Sequence, residues 1–156
     1  AAQDGVLIRV TGKVARPVHI LYRRDGQAAD VHVHHVIRLE PGAELTLLET
    51  GGIGARSNTV TEVEVGKGAR FHHIASKRAD DAKLGIGHIF ARVGEGALFK
   101  SFALAVNGRM MRNEGVIEIV GNDAVAHIAA AEVGFECDRY TVTEADVVEI
   151  LMQSYK

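Results

Sequence analysis

From Val65 to Ala75 the chain reads VGKGARFHHIA, and from Val93 to Ala103 it reads VGEGALFKSFA. Leu39 to Glu49 (LEPGAELTLLE) and Val120 to Ala130 (VGNDAVAHIAA) follow the same plan, and Thr11 to Leu21 (TGKVARPVHIL) follows it more weakly. Each unit is an apolar strand, a tight turn, a small residue and a second apolar strand. The anchoring alanines are Ala15, Ala43, Ala69, Ala97 and Ala124, spaced 28, 26, 28 and 27 residues apart.

The strand before each turn alternates with a period of two, which separates two faces of an extended chain. Thr59, Thr61, Val63 and Val65 fall on one face, and Val60, Glu62 and Glu64 on the other. Val31, Val33, Ile37 and Leu39 form the corresponding apolar face one unit earlier. The turns supply glycine, or Asn122-Asp123, where a positive φ is needed.

A period of 20–50 residues marks a solenoid, a propeller or an array, and about 27 is too short for a four-stranded propeller blade. The period-two pattern excludes helical repeats. A parallel β-helix of about five coils fits, with Leu39, Val65, Val93 and Val120 stacked inward in register. Leu45, Phe71, Phe99 and Ala126 form a second stack. The rival architecture is an antiparallel meander with one hairpin per unit.

Thr143-Glu144-Ala145-Asp146 has the form of a helix capping box, and Val147, Ile150 and Leu151 then share one helical face. A short C-terminal helix over residues 144–153 is expected, placed to cover the open end of the solenoid.

Composition sets limits on function. The 156 residues include 24 % charged and 47 % hydrophobic side chains, with a net charge of −2, so no nucleic-acid or membrane surface is expected. Aromatic residues are 5 % and there is no Trp, which argues against base-stacking platforms. The single cysteine, Cys137, forms no intrachain disulfide, and with no visible signal peptide a cytoplasmic setting is expected. The first residue is not Met, so a processed chain or a fragment is expected.

The eight histidines raise the question of a metal. His19 and His73 share a repeat position with Leu47 between them; His72 and His127 flank Lys100; His34 and His88 flank Val60. Coils stack ~4.8 Å apart, which puts such pairs ~10 Å apart, whereas zinc needs donors within ~2.1 Å. Neighbours such as His34-His35 and His72-His73 point to opposite faces. Only His32 and His34 lie close on one face, without a third ligand, so no metal site is expected.

Other chemistry is equally thin. The VGKGA and VGEGA turns have no following Gly-Lys-Ser/Thr and are not phosphate loops. Cys137 lies between Glu136 and Asp138, which oppose thiolate formation, so an idle thiol is expected. Asn107 to Glu114 reads as a polar, Met-containing loop. No Ser-His-Asp set or carboxylate pair is defined by spacing, so catalytic residues are none and cofactor-binding residues unknown.

The stretches NTVTEVEVGKGARFHHI (from Asn58) and HIFARVGEGALFKSFALAVNGRMMRNEGVIEIVGNDAVAHIAA (from His88) resemble the core of the SufB/SufD family of iron–sulfur cluster assembly proteins. The family's Gly-(Lys/Arg)-x-x-Arg-Asn segment corresponds to Gly108-Arg109-Met110-Met111-Arg112-Asn113, and His34 to Glu49 is similar too. With no cysteine-rich insert, the chain is more similar to SufD than to SufB. Beyond Ala130 it departs from the family: Asp138 and Thr141 are kept, but Cys137 and Glu144 stand where histidines are usual, and only Lys156 resembles the family's ending. No functional residue is therefore carried over.

The resemblance implies an all-β, right-handed parallel β-helix (a single-stranded solenoid) over residues 1–156, as the core of a longer protein. It implies a non-catalytic scaffold that works with SufB-like and SufC-like subunits, carries an iron–sulfur cluster only transiently within their complex, and can form a homodimer. Two other functions compete with this one. A β-helix carbohydrate-active enzyme needs an acidic stripe, whereas Glu62 and Glu64 are expected to be followed in later coils by Phe90, Arg92, Ile117 and Ile119. A cupin-like metal-binding barrel needs three His and a Glu converging, which the repeat positions disfavour.

Overall fold

A computed structural model describes residues 4–23, 30–51, 55–78, 84–106 and 108–133. Ten strands follow in order: β1 (Leu7–Val10), β2 (Val18–Tyr22), β3 (Asp30–Leu39), β4 (Glu44–Gly51), β5 (Arg56–Val65), β6 (Arg70–Arg78), β7 (Leu84–Val93), β8 (Leu98–Val106), β9 (Met110–Ile119) and β10 (Val125–Val133). Odd strands form one sheet, β1-β3-β5-β7-β9, and even strands the other, β10-β8-β6-β4-β2. All pairings among the described residues are parallel. The chain is a β-solenoid, and the antiparallel meander is excluded. The proposed C-terminal helix over 144–153 and Cys137 lie outside the described residues.

The recurring turn explains the repeat. Backbone bonds Ala43 N→Glu40 O (3.0 Å), Ala69 N→Gly66 O (3.0 Å) and Ala97 N→Gly94 O (3.1 Å) each close four residues. The third residue of each is glycine with positive φ: Gly42 (73°), Gly68 (65°) and Gly96 (61°). That is the conformation a type II turn requires, with Pro41 at its favoured second position. The last turn places Asp123 at this point with φ 57°. The turns also stack, with Gly42 N→Lys67 O and Gly96 N→Asn122 O at 2.9 Å and Gly68 N→Glu95 O at 2.8 Å. The anchoring alanines Ala43, Ala69 and Ala97 are buried beside them.

Inward positions of both sheets build the core: Ile37, Leu39, Leu45, Leu47, Val63, Val65, Phe71, Val93 and Phe99 are all buried. Each such side chain contributes about 1.5–3 kcal/mol by leaving water. Leu45, Phe71, Phe99 and Ala126 stack in register as expected, with the two Phe rings 5.8 Å apart.

Three expectations are corrected. In the last coil Val93 pairs with Ile119, not Val120, because the turn after β9 holds one more residue than the turn before β8. The residues beside Phe90 and Arg92 are accordingly Val116 and Glu118, not Ile117 and Ile119. In the first coil, Lys13 bridges Glu44 while Val18 pairs with Leu47. Five steps along the chain there match three on β4, so two residues loop out near the bend at Ala15-Arg16. His19 thus pairs with Leu48 rather than Leu47 and does not share a position with His73. Finally, Met110 to Glu114 is not a loop but the start of β9, paired with Leu84 to His88.

Candidate functional site

The interior changes character along the strands. Next to the type II turns it is apolar. Toward the opposite edge, the inward positions carry His35, Glu49, Thr59, Thr61, His73 and Ser101, all buried. Strand alternation puts them there: His35 continues the face of Val33 and Ile37, Glu49 that of Leu45 and Leu47, and His73 that of Phe71 and Ala75. Metal-ligand spacing does not reveal this group, but a polar residue on an apolar period-two face does.

Hydrogen bonds join His35, Glu49, His73 and Ser101, with Tyr22, into a column along the solenoid axis. Val6 N–H donates to His35 Nδ1 at 3.2 Å. With Nδ1 accepting, the neutral ring carries its proton on Nε2, which donates to Tyr22 Oη at 2.6 Å. Tyr22 donates to Glu49 Oε2 at 2.8 Å. His73 Nε2 donates to Glu49 Oε1 at 2.9 Å, and His73 Nδ1 meets Ser101 Oγ at 3.0 Å. The His73 ring also stacks on Phe71 at 6.1 Å. The column therefore runs from the first coil to the fourth.

Charge is concentrated at Glu49. Burial alone pushes its carboxyl up. The hydrogen bond and charge of His73, the Lys77 ammonium and the Tyr22 hydroxyl outweigh that and bring it from 4.5 to about 2. The same contact works on Tyr22: burial first, then the adjacent carboxylate, push its hydroxyl above its ordinary value. His35 is lowered by burial, partly offset by Glu49. Lys77 is likewise lowered by burial and opposed by Glu49.

Lys77 reaches inward because Gly87 gives way. A Cβ at Gly87 would lie 2.7 Å from Lys77 Nζ and 2.8 Å from Asn113 Oδ1. Asn113 pairs with Gly87 and ends the Gly108–Asn113 segment singled out in the sequence. A cavity of about 40 Å³ is bounded by Glu49, His73, Lys77, Ser101 and Asn113. It has room for a water-sized guest and little more. The column can store charge and hold protons in defined places; its hydroxyl–imidazole–carboxylate chain, Ser101–His73–Glu49, is buried, with only this cavity of about 40 Å³ beside it.

The remaining histidines lie on outer faces or at the rim. His19 meets Thr50 Oγ1 at 2.6 Å, His34 meets Glu62 at 2.9 Å and His88 meets Glu114 at 3.0 Å. His34 and His88 flank Val60, and His72 and His127 flank Lys100, as expected. His32 lies on the outer face of β3 with His34. Among the described residues no group of three or more His, Cys, Asp or Glu is placed to hold a metal ion. On the outer face Glu62 is followed by Phe90 and Glu64 by Arg92, so these positions make no acidic stripe. No described helix is long and apolar enough to cross a membrane.

A protein-family model described as "SUF system FeS cluster assembly, SufBD core domain" matches residues 22–141. No curated protein and no solved structure matches the chain.

Proposed function

The chain belongs to the SufBD core domain family of the SUF iron–sulfur cluster assembly system, and from that premise we propose that it is a scaffold subunit, non-catalytic by itself, more SufD-like than SufB-like. The observation that carries this reading is where the match falls. Residues 22–141 begin at the end of β2 and take in every later strand, so the family signature coincides with the solenoid rather than with an appended module. The interior agrees, since its Ser101–His73–Glu49 chain is buried beside a cavity of about 40 Å³, too small for a substrate larger than water.

In this proposal the solenoid supplies a stiff surface on which SufB-like and SufC-like subunits assemble in the cytoplasm. The iron–sulfur cluster is cargo of that complex, held transiently. The test is co-expression with the SufB-like and SufC-like proteins of the same genome, followed by purification through a tag on this chain alone. Co-purification at fixed stoichiometry, with cluster absorbance appearing on addition of iron, cysteine and a cysteine desulfurase, is the expected result. A chain that binds neither subunit and leaves cluster yield unchanged overturns the reading.

A further inference from the structure

The imidazole of His35, buried on the inner side of β3, is hydrogen-bonded through both of its nitrogens to the first coil. Nδ1 accepts from Val6 N–H at 3.2 Å, just ahead of β1, and Nε2 donates to Tyr22 Oη at 2.6 Å, at the end of β2. The arm from Asp4 to Val10 has little else to hold it. β1 is four residues long against ten in β3. Val10 is buried and Ile8 partly so, while Val6 and Leu7 are 42 % and 71 % exposed. Backbone bonds run to the arm from β3 and the turn after it: His34 N→Asp4 O (3.0 Å), Val36 N→Val6 O (2.9 Å) and Glu40 N→Val10 O (2.9 Å). A Cβ at Gly5 would overlap the His34 carbonyl, so the arm lies pressed on β3 beside Val6.

We propose that His35 is a proton-operated latch: protonation of its ring releases the arm from Asp4 to Val10 while the later coils stay stacked. A neutral imidazole has one acceptor nitrogen, and Val6 occupies it. The added proton goes to Nδ1, which sets one N–H against another. With Gly5 already against His34, the Val6 amide cannot slide along β3 to escape, so the arm moves outward. That movement also breaks the bond from Val36 N–H to Val6 O. Tyr22 keeps its contact, because an imidazolium still donates from Nε2, so β2 is not the part released.

The groups around the ring do not cancel the clash. Glu49 on β4 and Asp4 on the arm favour the cation, and Lys77 on β6 and His34 on β3 oppose it. The Glu49 carboxylate is held by Tyr22 and His73, and that of Asp4 is turned to Gly5 N–H at 2.7 Å. β5 pairs the uncharged Thr61 with His35. Burial is the largest influence and keeps the enclosed ring below its ordinary 6.5. Once the arm lifts, water reaches the ring and the ordinary value returns. Protons therefore favour the open form, so the arm is closed at neutral pH and opens as pH falls below about 6.5. Opening bares the β3 edge, whose N–H and C=O groups are then available to another strand.

The experiment is amide hydrogen exchange of the full chain, followed by NMR at pH 7.5 and 5.5, with each rate divided by its intrinsic value. It needs neither of the other subunits, so its outcome is independent of the scaffold reading. The expected result is a severalfold loss of protection at pH 5.5 for Val6 to Val10 and for His34, Val36 and Glu40. A pH one unit below the ordinary histidine value sets ~10-fold as the ceiling. Amides of β6 and β8 should hold their protection. His35→Gln keeps a side-chain amide without a titrating ring, and its arm should be equally protected at both pH values. Thermal melting shows whether that variant is folded, and the parent chain decides the matter without it. An arm that loses no protection in acid, or a loss spread equally over all coils, overturns the proposal. So does a folded His35→Gln whose arm still loosens in acid.

Discussion

Tyr22 and Glu49, 27 residues apart in the chain, meet inside the solenoid, the phenol donating to Oε2 at 2.8 Å. One repeat length brings them onto adjacent coils, and the same hydroxyl accepts from His35 at 2.6 Å. Tyr22→Phe keeps the ring and removes both bonds, leaving a buried carboxylate and a buried ring N–H each short of a partner. The expected loss is about 1.5–3 kcal/mol, read as a lower urea midpoint with an unchanged slope. A midpoint equal to that of the parent chain would show that the column does not stabilise the fold.

Acid should destabilise the protein in two stages. Burial holds His35 below its ordinary 6.5, so the unfolded chain binds a proton that the folded chain refuses, and stability falls as pH drops through about that value. Glu49 is held at about 2 against an ordinary 4.5. Its contribution is complete above the unfolded value and is lost as pH falls toward 2, for a total of about 3 kcal/mol. Unfolding free energies measured from pH 7 to pH 2.5 should trace this decline, and Glu49→Gln should flatten the lower stage. A variant with the same acid limb as the parent would assign that limb to other carboxylates.

Asp123 occupies a left-handed conformation that the three earlier turns give to glycine. Asp123→Gly should therefore stabilise the chain by about 0.5–1 kcal/mol, while Gly96→Ala should cost about 1 kcal/mol or more. Melting temperatures moving in opposite directions are the expected outcome. A lower melting temperature for Asp123→Gly would mean that the aspartate side chain supports the turn.

Phe71 and Phe99 are fully buried, one above the other on neighbouring coils. Phe99→Ala should cost about 3–5 kcal/mol, because the two sheets cannot close on the space left behind. Chemical denaturation gives the value, and a loss below ~1 kcal/mol would mean that the stack is loosely packed.

The alternation in β3 and β5 and the glycine turns make the solenoid legible in the sequence itself. Each is a local signal that repeats: period two decides which face a side chain takes, and the turn forces a positive φ at one place. Register failed where a coil changes length without changing its pattern. The extra residues near Ala15-Arg16 and in the turn around Asp123 leave the alternation intact on either side, so sequence alone placed Val120 where Ile119 stands. The polar column was missed for a different reason. Metal-ligand spacing says nothing of His35 and His73, whereas parity with Ile37 and Phe71 sends them inward, where His73 meets Glu49 of the neighbouring strand and His35 reaches it from the facing sheet through Tyr22.

The two long edges of the solenoid also differ as places to cut and rejoin the chain. On one edge the coils from β3 onward reverse in a short glycine turn hydrogen-bonded to the next. On the other, four residues separate Gly51 from Arg56, five separate Arg78 from Leu84 and three separate Val106 from Met110. Much of the variation in coil length is absorbed there. New termini or an inserted domain placed on that edge would leave the described stacked turns and apolar core positions uninterrupted, so grafts that shorten or lengthen a coil belong on the polar side of the molecule.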